Sequence, residues 1–514
     1  MGKSAAGSSP IAEVATQVSP VEIEIRLALA PDQVRRLRRH PVVRQAPRTR
    51  ARLRTIYFDT PEAALFKRGL SLRLRRVGRR WVQTVKGWQG AGGVLSRRFE
   101  WETPISRQGP ALDALPPDIR ACLPPEVVSE LRPCFETDVW RETWQVVRDE
   151  TQIEVALDRG EVRGNAQVAP LTEIELELKT GEAIGLFELA EQLATAFPVS
   201  LEPRSKAQRG YQLTGAVTPT PVKAVPPTLD FDGPAVLAFQ QIVRSCMRQF
   251  EANLSGFLNT PDPDPEYVHQ MRVALRRMRA AFGLLRFMEC SRPDWLGELK
   301  WLMGELAAAR DWDVFVTETL TRVRTRLEQP ERLDELLDVA AALRRAANLR
   351  ARAAVGSSRL VRLWLKLERE LATQPPVVMT ATAWLQAALH RRHRQLLRRG
   401  ERLNSLSPAE RHALRIAAKK LRYGAEFFAG RHPKSARRFI RCLADLQDVL
   451  GVLNDAAVTM RCLDAIKQNG GPAVWEAAGF VAGFLACEQA RRLEELERLW
   501  RDFRRAQPYW VGKD

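Results

Sequence analysis

"LTEIELELKTG", residues Leu171–Gly181, decides how the first half of the chain folds. Side chains alternate across an extended strand, so Glu173, Glu175, Glu177 and Lys179 share one side and Ile174, Leu176 and Leu178 the other. An apolar face is backed by an acidic one, with a single lysine on that strand to neutralise three carboxylates. The same alternation recurs upstream. In "VEIEIRLAL" Glu22, Glu24 and Arg26 oppose Val21, Ile23 and Ile25, and in "LSLRLRR" Arg73 and Arg75 oppose Leu72 and Leu74. Lys86 is in register with Thr84 in "VQTVKG", Arg98, Glu100 and Glu102 oppose Phe99 and Trp101, and Asp158 shares its phase with Glu154 in "QIEVALD".

Eight such segments are expected as strands, adding "RLRTIYFDT" and "WRETWQVV", with Pro, Gly and Asp clusters between them as turn signals. Short helices are expected at "PDQVRRLRRH" and "AIGLFELAEQLATAF". One charged strand face is ordinarily a solvated face. Here, acids gather on some strands and bases on others, all against formed apolar faces. An antiparallel sheet closed into a barrel with a charged lumen would require that segregation.

The lumen's chemistry follows from its charges. Clustered carboxylates repel unless a hard cation sits among them, and Mg²⁺ or Mn²⁺ prefers such oxygen donors. Facing arginines and lysines suit phosphoryl oxygens. Hydrolysis then needs a positioned water and neutralisation of developing charge.

Composition bounds the remainder. The 514 residues carry a formal net charge of +19 and are 45% hydrophobic, which indicates a folded protein with a polyanionic partner. Seven scattered cysteines without a CxxC pair fit a reducing compartment. Residues 1–19 read as a disordered tail without a signal peptide's apolar core, and no run is long enough to span a membrane. A soluble cytoplasmic protein with no membrane partner is expected.

The strand motifs resemble the CYTH domain of the triphosphate tunnel metalloenzymes. The residues that carry the likeness are "EIEIR" (Glu22–Arg26), "YFDTPEAAL" (Tyr57–Leu65), "LSLRLRR" (Leu70–Arg76), "VKG" (Val85–Gly87), "EIELELK" (Glu173–Lys179) and "SKAQRGY" (Ser205–Tyr211). The resemblance implies a tunnel fold over 20–214 and a divalent-metal-dependent hydrolase acting on inorganic triphosphate. It implies metal-binding acids at Glu22, Glu24, Glu173 and Glu175, with Glu177 and Asp158 as further candidates. Arg73, Arg75, Arg98 and Arg141 match substrate-binding positions, and Arg26, Lys86 and Lys206 catalytic ones. Position 26 departs from the family, whose first motif ends in lysine. The adenylate cyclases of the family carry a His-Phe pair before this motif, where the chain reads "TQVSP".

After a Pro-rich linker at 215–230 the pattern changes to apolar residues at three- and four-residue spacing, so 231–508 is expected to be all-α. This half repeats itself, about 231–370 and 378–508. "HQMRVALRRMR" begins at His269 and "HALRIAAKKLR" at His412. Bases recur at +3 (Arg272, Arg415), +7 (Arg276, Lys419), +8 (Arg277, Lys420) and +10 (Arg279, Arg422). Each copy presents a basic helical stripe headed by histidine, and duplication points to two similar bundles. Acids are missing from these stripes, and so are the interleaved aromatics of base-stacking platforms.

"VHQMRVALRRMRA", "RDWDV", "LRIAAKKLRYGAEFF" and "LQDVLGVLNDAAV" resemble the CHAD domain. That likeness implies a duplicated helical bundle whose basic groove binds inorganic polyphosphate, in some cases at polyphosphate granules. The combined expectation is an α+β protein: a closed antiparallel β-barrel of about eight strands followed by an all-α duplicated bundle. It hydrolyses triphosphate or short polyphosphate with Mg²⁺ or Mn²⁺ and binds polyphosphate. A non-catalytic polyphosphate-binding or granule-targeting protein and a nucleic-acid-binding protein are the competing readings, and the oligomeric state is open.

Overall fold

The computed structural model describes residues 22–88, 95–106, 109–288, 293 and 295–511, so the expected tail lies outside the described residues. The fold class is mixed α+β, an antiparallel sheet in the N-terminal half and helices in the C-terminal half. The strands are β1 (Glu22–Leu29), β2 (Arg48–Asp59), β3 (Leu70–Val77), β4 (Arg80–Trp88), β5 (Leu95–Ile105), β6 (Arg132–Arg148), β7 (Thr151–Gly164), β8 (Gln167–Thr180) and β9 (Val199–Leu201). The eight alternating segments each form a strand. The ninth is three residues long, too short for periodicity to register.

Strand order is β5-β4-β3-β2-β6-β7-β8-β1-β9, and β1 also pairs with β5, from Glu22↔Arg98 to Ile25↔Leu95. Register is set by burial, because a one-residue slip would exchange the faces. Ile25, Leu27, Ile153, Val155, Leu157, Ile174 and Leu176 all point to the apolar side and are buried. Each contributes about 1.5–3 kcal/mol by leaving water. Helix α1 (Ala183–Ala196) packs on β8 and buries Leu186, Leu189, Ala190 and Leu193. On the other flank Leu70, Leu72, Leu74 and Val85 pack against Leu115, Ile119, Leu123 and Val127. The β7–β8 hairpin turns on Asn165 and Ala166, both with positive φ, the two-residue geometry that suits the twist of the strands.

Helix α2 (Lys206–Leu213) completes the sheet region. The C-terminal half comprises α3 (Ala235–Asn259), α4 (Pro265–Phe282), α5 (Leu296–Val314), α6 (Asp334–Val355), α7 (Ser358–Ala372), α8 (Ala381–Arg399), α9 (Pro408–Phe428), α10 (Pro433–Lys467) and α11 (Pro472–Arg505). The duplication extends to the caps. Asp264 accepts from Glu266 N ahead of Pro265, and Ser407 forms a capping box with Glu410 ahead of Pro408. Among the described residues no helix is long and apolar enough to cross a membrane.

The chain forms two compact units. One comprises the described residues up to Pro221 with Glu251–Asp262 and Val355–Thr373, and the other comprises Val222–Phe250, Pro263–Ala354 and the described residues from Gln374 onward, so that α3 contributes to both. Helix α7 thus belongs with the sheet. It buries Leu360, Val361, Leu363, Trp364 and Leu367, and packs on α1 and β9. Ser358 Oγ accepts from Val199 N at 2.9 Å, and Trp364 Nε1 donates to Glu251 at 2.6 Å. Sequence patterning cannot reveal this placement, because an amphipathic helix does not specify which apolar surface it covers.

Candidate active site

The inner face of the sheet is organised in cross-strand rows. Glu24 on β1 aligns with Glu177 on β8 and Glu154 on β7, the next row pairs Arg26 with Glu175, and Glu173 aligns with Asp158, itself opposite Arg141 on β6. On the other strands Tyr57, Arg73, Thr84 and Glu102 form one row and Ser71, Lys86 and Glu100 another. These rows surround one cavity of about 430 Å³, whose lining includes Glu24, Arg26, Arg73, Arg75, Lys86, Arg141, Glu175, Glu177 and Lys206. Glu173 and Asp158 are fully buried beside it. The side chains of Glu22 and Arg98 lie outside the described residues.

Lys206 is the centre of the acidic side. Ser205 caps α2 through a capping box with Gln208, which sets Lys206 as the first helical residue. Its ammonium donates to Glu173, to Glu175 at 2.6 Å and to Asp158 at 2.7 Å. Arg141 grips Asp158 with two bonds, 2.7 and 2.6 Å, and also reaches Glu175. Arg209 donates to Glu173 at 3.2 Å. Burial opposes ionisation of Asp158 and Glu175, but Lys206 and Arg141 outweigh it and hold both carboxyls below their ordinary range. For Glu173 burial prevails and the pKa is raised. Burial also raises Glu177, which Lys179 only partly offsets. Burial would depress Lys206, yet the three carboxylates lift it above its ordinary value. One oxygen each from Asp158, Glu173 and Glu175 lies within 4.8 Å of the others, an all-oxygen donor set suited to a hard divalent ion.

The basic side is partly neutralised by β5. Glu100 takes Lys86 at 2.6 Å and Arg73 at 2.9 Å. Burial pushes Glu100 up, but these two cations bring it down to about 2. Arg75 differs. It donates weakly to Thr55 Oγ1 at 3.4 Å and, among the described residues, has no carboxylate within ion-pairing distance. Burial, then Arg73 and Arg141, push it down to about 10. A guanidinium so placed is an electrostatic demand for an anion. Arg26 is buried, with one nitrogen 3.1 Å from Glu24 and another 3.3 Å from Pro203 O, so it orients an acid of the row.

Three features escaped the strand patterns. Arg209 lies three residues beyond Lys206 and so reaches the same acids. Glu100 and Glu102 sit on a strand that also carries arginines, and alternation alone cannot say which cations they neutralise. Asp59 is buried and accepts from Leu65 N at 2.8 Å, Phe66 N at 3.0 Å and Tyr211 Oη at 2.7 Å. It ties the "YFDT" and "SKAQRGY" segments together as a structural lock. The capping box in "SKAQ" was the readable signal for the position of Lys206.

In the helical unit the stripes are crowded. His269 is pushed down to about 4 by burial, then Arg310, with Arg276 and Arg272 adding to it. Arg272 is lowered to about 10 by burial and Arg276, and donates to Met303 O at 3.3 Å. Arg276 Nε is buried without a hydrogen-bond partner. Arg279 and His412 are exposed, and Arg415 and Lys419 are half-buried. Although acids are missing from the stripes as quoted, one lies a turn further along α9 and another on the neighbouring α10. Glu426 pairs with Arg422 at 3.3 Å, and Asp448 on α10 feels Arg422, Arg415 and Lys419. The +8 positions leave the stripes. Arg277, 2% exposed, is turned into the core, bonded to Gln249 at 3.3 Å and stacked over Phe427. Lys420 lines a separate pocket. Five residues of helix carry about 500°, so +8 lies about 140° from +3.

The CYTH domain family model matches residues 21–211, and the CHAD domain family model matches residues 241–464. Over 159 residues the chain is 33% identical to a protein of Haemophilus influenzae described as an inorganic triphosphatase, and that match spans 30% of this chain and 44% of the relative. Among solved structures, the CHAD domain of the plant Ricinus communis is 31% identical, covering 56% of this chain and 98% of that one, with a TM-score of 0.48. PptA from Streptomyces chartreusis is 19% identical, covering 53% and 99%, with a TM-score of 0.40.

Proposed function

The chain carries a CYTH domain followed by a CHAD domain, and from that premise we propose that the first hydrolyses inorganic triphosphate or short polyphosphate while the second binds polyphosphate. In this reading the domains are 20–214 and 231–508, joined by 215–230, and the sheet closes into a tunnel. The β1–β5 pairing supports that closure.

One observation carries the hydrolase: Arg75 lines the same cavity as Glu24, Glu175 and Glu177 and, among the described residues, has no carboxylate within ion-pairing distance, while oxygens of Asp158, Glu173 and Glu175 converge within 4.8 Å of one another. Arg73, Arg75 and Arg141 take phosphoryl oxygens, as Arg98 would from β5. Glu24, Glu173 and Glu175, with Asp158, Glu177 and Glu22, would hold Mg²⁺ or Mn²⁺. Once bound, such an ion neutralises phosphoryl charge and lowers the pKa of an adjacent water. Lys86 and Lys206 would neutralise charge that develops on the leaving phosphate. Arg26 positions Glu24. The polyphosphate set is His269, Arg272, Arg276, Arg279, His412, Arg415, Lys419 and Arg422, and Arg277 drops out because its charge is buried in the core.

Phosphate release from tripolyphosphate, with and without Mg²⁺, tests the reading. Wild type should depend on the metal, Glu24→Gln/Glu175→Gln should lose release, and Arg75→Gln should lose about a hundredfold in kcat/KM. Release that ignores both the metal and Arg75 would refute it.

A further inference from the structure

The +8 position of the helical repeat has two fates. In the first copy Arg277 is absorbed by Gln249 and the ring of Phe427. In the second, Lys420 stands at a pocket of about 160 Å³ between α8 and α9, with Arg392, Gln395 and Arg399 in its lining.

Arg392 forms the floor. It is 5% exposed, yet its guanidinium meets no carboxylate, and it donates to Lys420 O at 2.8 Å and Ala280 O at 3.1 Å. Gly283 and Gly424 leave room for it, since a Cβ at either position would come within 3.3 Å of its terminal nitrogens. Capping the end of α4 accounts for one of its bonds and leaves the charge above it unexplained. Arg399 and Lys420 stand exposed at the rim, and the strongest charges acting on Lys420 are Arg392, Arg279, Arg286 and Arg399. Among the described residues no carboxylate lies within ion-pairing distance of Arg392, Arg399 or Lys420. Like charges held this close are stabilised by an anion between them.

We propose that the pocket between α8 and α9, floored by Arg392 and rimmed by Arg399 and Lys420, binds a phosphoryl oxyanion separately from the His412 stripe. Arg392 and Arg399 supply planar donor pairs, Lys420 a point charge, and Gln395 a neutral amide. The phosphoryl group belongs either to a free small phosphate or to a segment of longer polyphosphate.

Acylation of Lys420 by an N-hydroxysuccinimide acetate, followed by peptide mass spectrometry of the full chain at fixed ionic strength, reads the site locally. At pyrophosphate about ten times its Kd, Lys420 should react about tenfold more slowly, with the exposed Lys434 unchanged. The protection should vanish in Arg399→Glu and persist in Arg415→Ala. Protection by long-chain polyphosphate alone, with the same variant pattern, supports the site and assigns the polymer as its source. Absence of protection by either probe overturns the proposal. So does equal protection of Lys434, or protection that follows Arg415 in place of Arg399.

Discussion

The two halves handle crowded charge in opposite ways. In the sheet unit, two buried carboxylates and the half-buried Glu175 share one ammonium, and Glu100 joins Lys86 to Arg73. Almost every ion there has a partner, so the residual demand for an anion is concentrated on Arg75. In the helical unit His269, Arg272, Arg276 and Arg310 crowd together, as do Arg392, Arg399 and Lys420, and among the described residues the latter three have no carboxylate within ion-pairing distance. A compensated site selects a small ligand by geometry, whereas an uncompensated surface takes a polyanion by charge.

The largest test of that contrast is Lys206→Met. It leaves three carboxylates without their shared ammonium, and urea unfolding of the sheet unit should show a loss of about 3–5 kcal/mol. A loss under about 1 kcal/mol would mean that Arg141 and Arg209 suffice to hold the three acids.

The next is acid sensitivity. Glu100 is depressed from 4.5 to about 2 in the folded protein. Its contribution is therefore complete above about 4.5 and is lost as pH falls toward about 2. Stability measured across that window should fall less steeply in Lys86→Met, which removes the nearer cation. Identical slopes would place the acid response elsewhere.

The smallest effect concerns salt. Raising ionic strength should stabilise the helical unit by about 1 kcal/mol or less through screening of its like charges. The buried network of the sheet unit should respond far less. Thermal unfolding followed separately in the two units checks this, and equal responses would erase the contrast.

Much of the site was readable from strands alone. Alternation around Glu173, Glu175 and Glu177 placed the acids on one face, and "LSLRLRR" placed Arg73 and Arg75 on another. That is possible because a period of two follows from backbone geometry and needs no knowledge of neighbours. The position of α7 was hidden, as was the diversion of Arg277 and Lys420 from their stripes. The +8 residues recur in sequence with the others, but a helix rotates them toward different neighbours.

The sequence by itself determined the strand faces, the helical duplication and the two charge inventories, because periodicity and composition are local properties. Only the tertiary structure decided which charges cancel: Lys206 with the acid trio, Glu100 with Lys86 and Arg73, and for Arg75, among the described residues, no carboxylate within ion-pairing distance. Coulombic pairing depends on distance and burial, and both are set by strands and helices far apart in the chain.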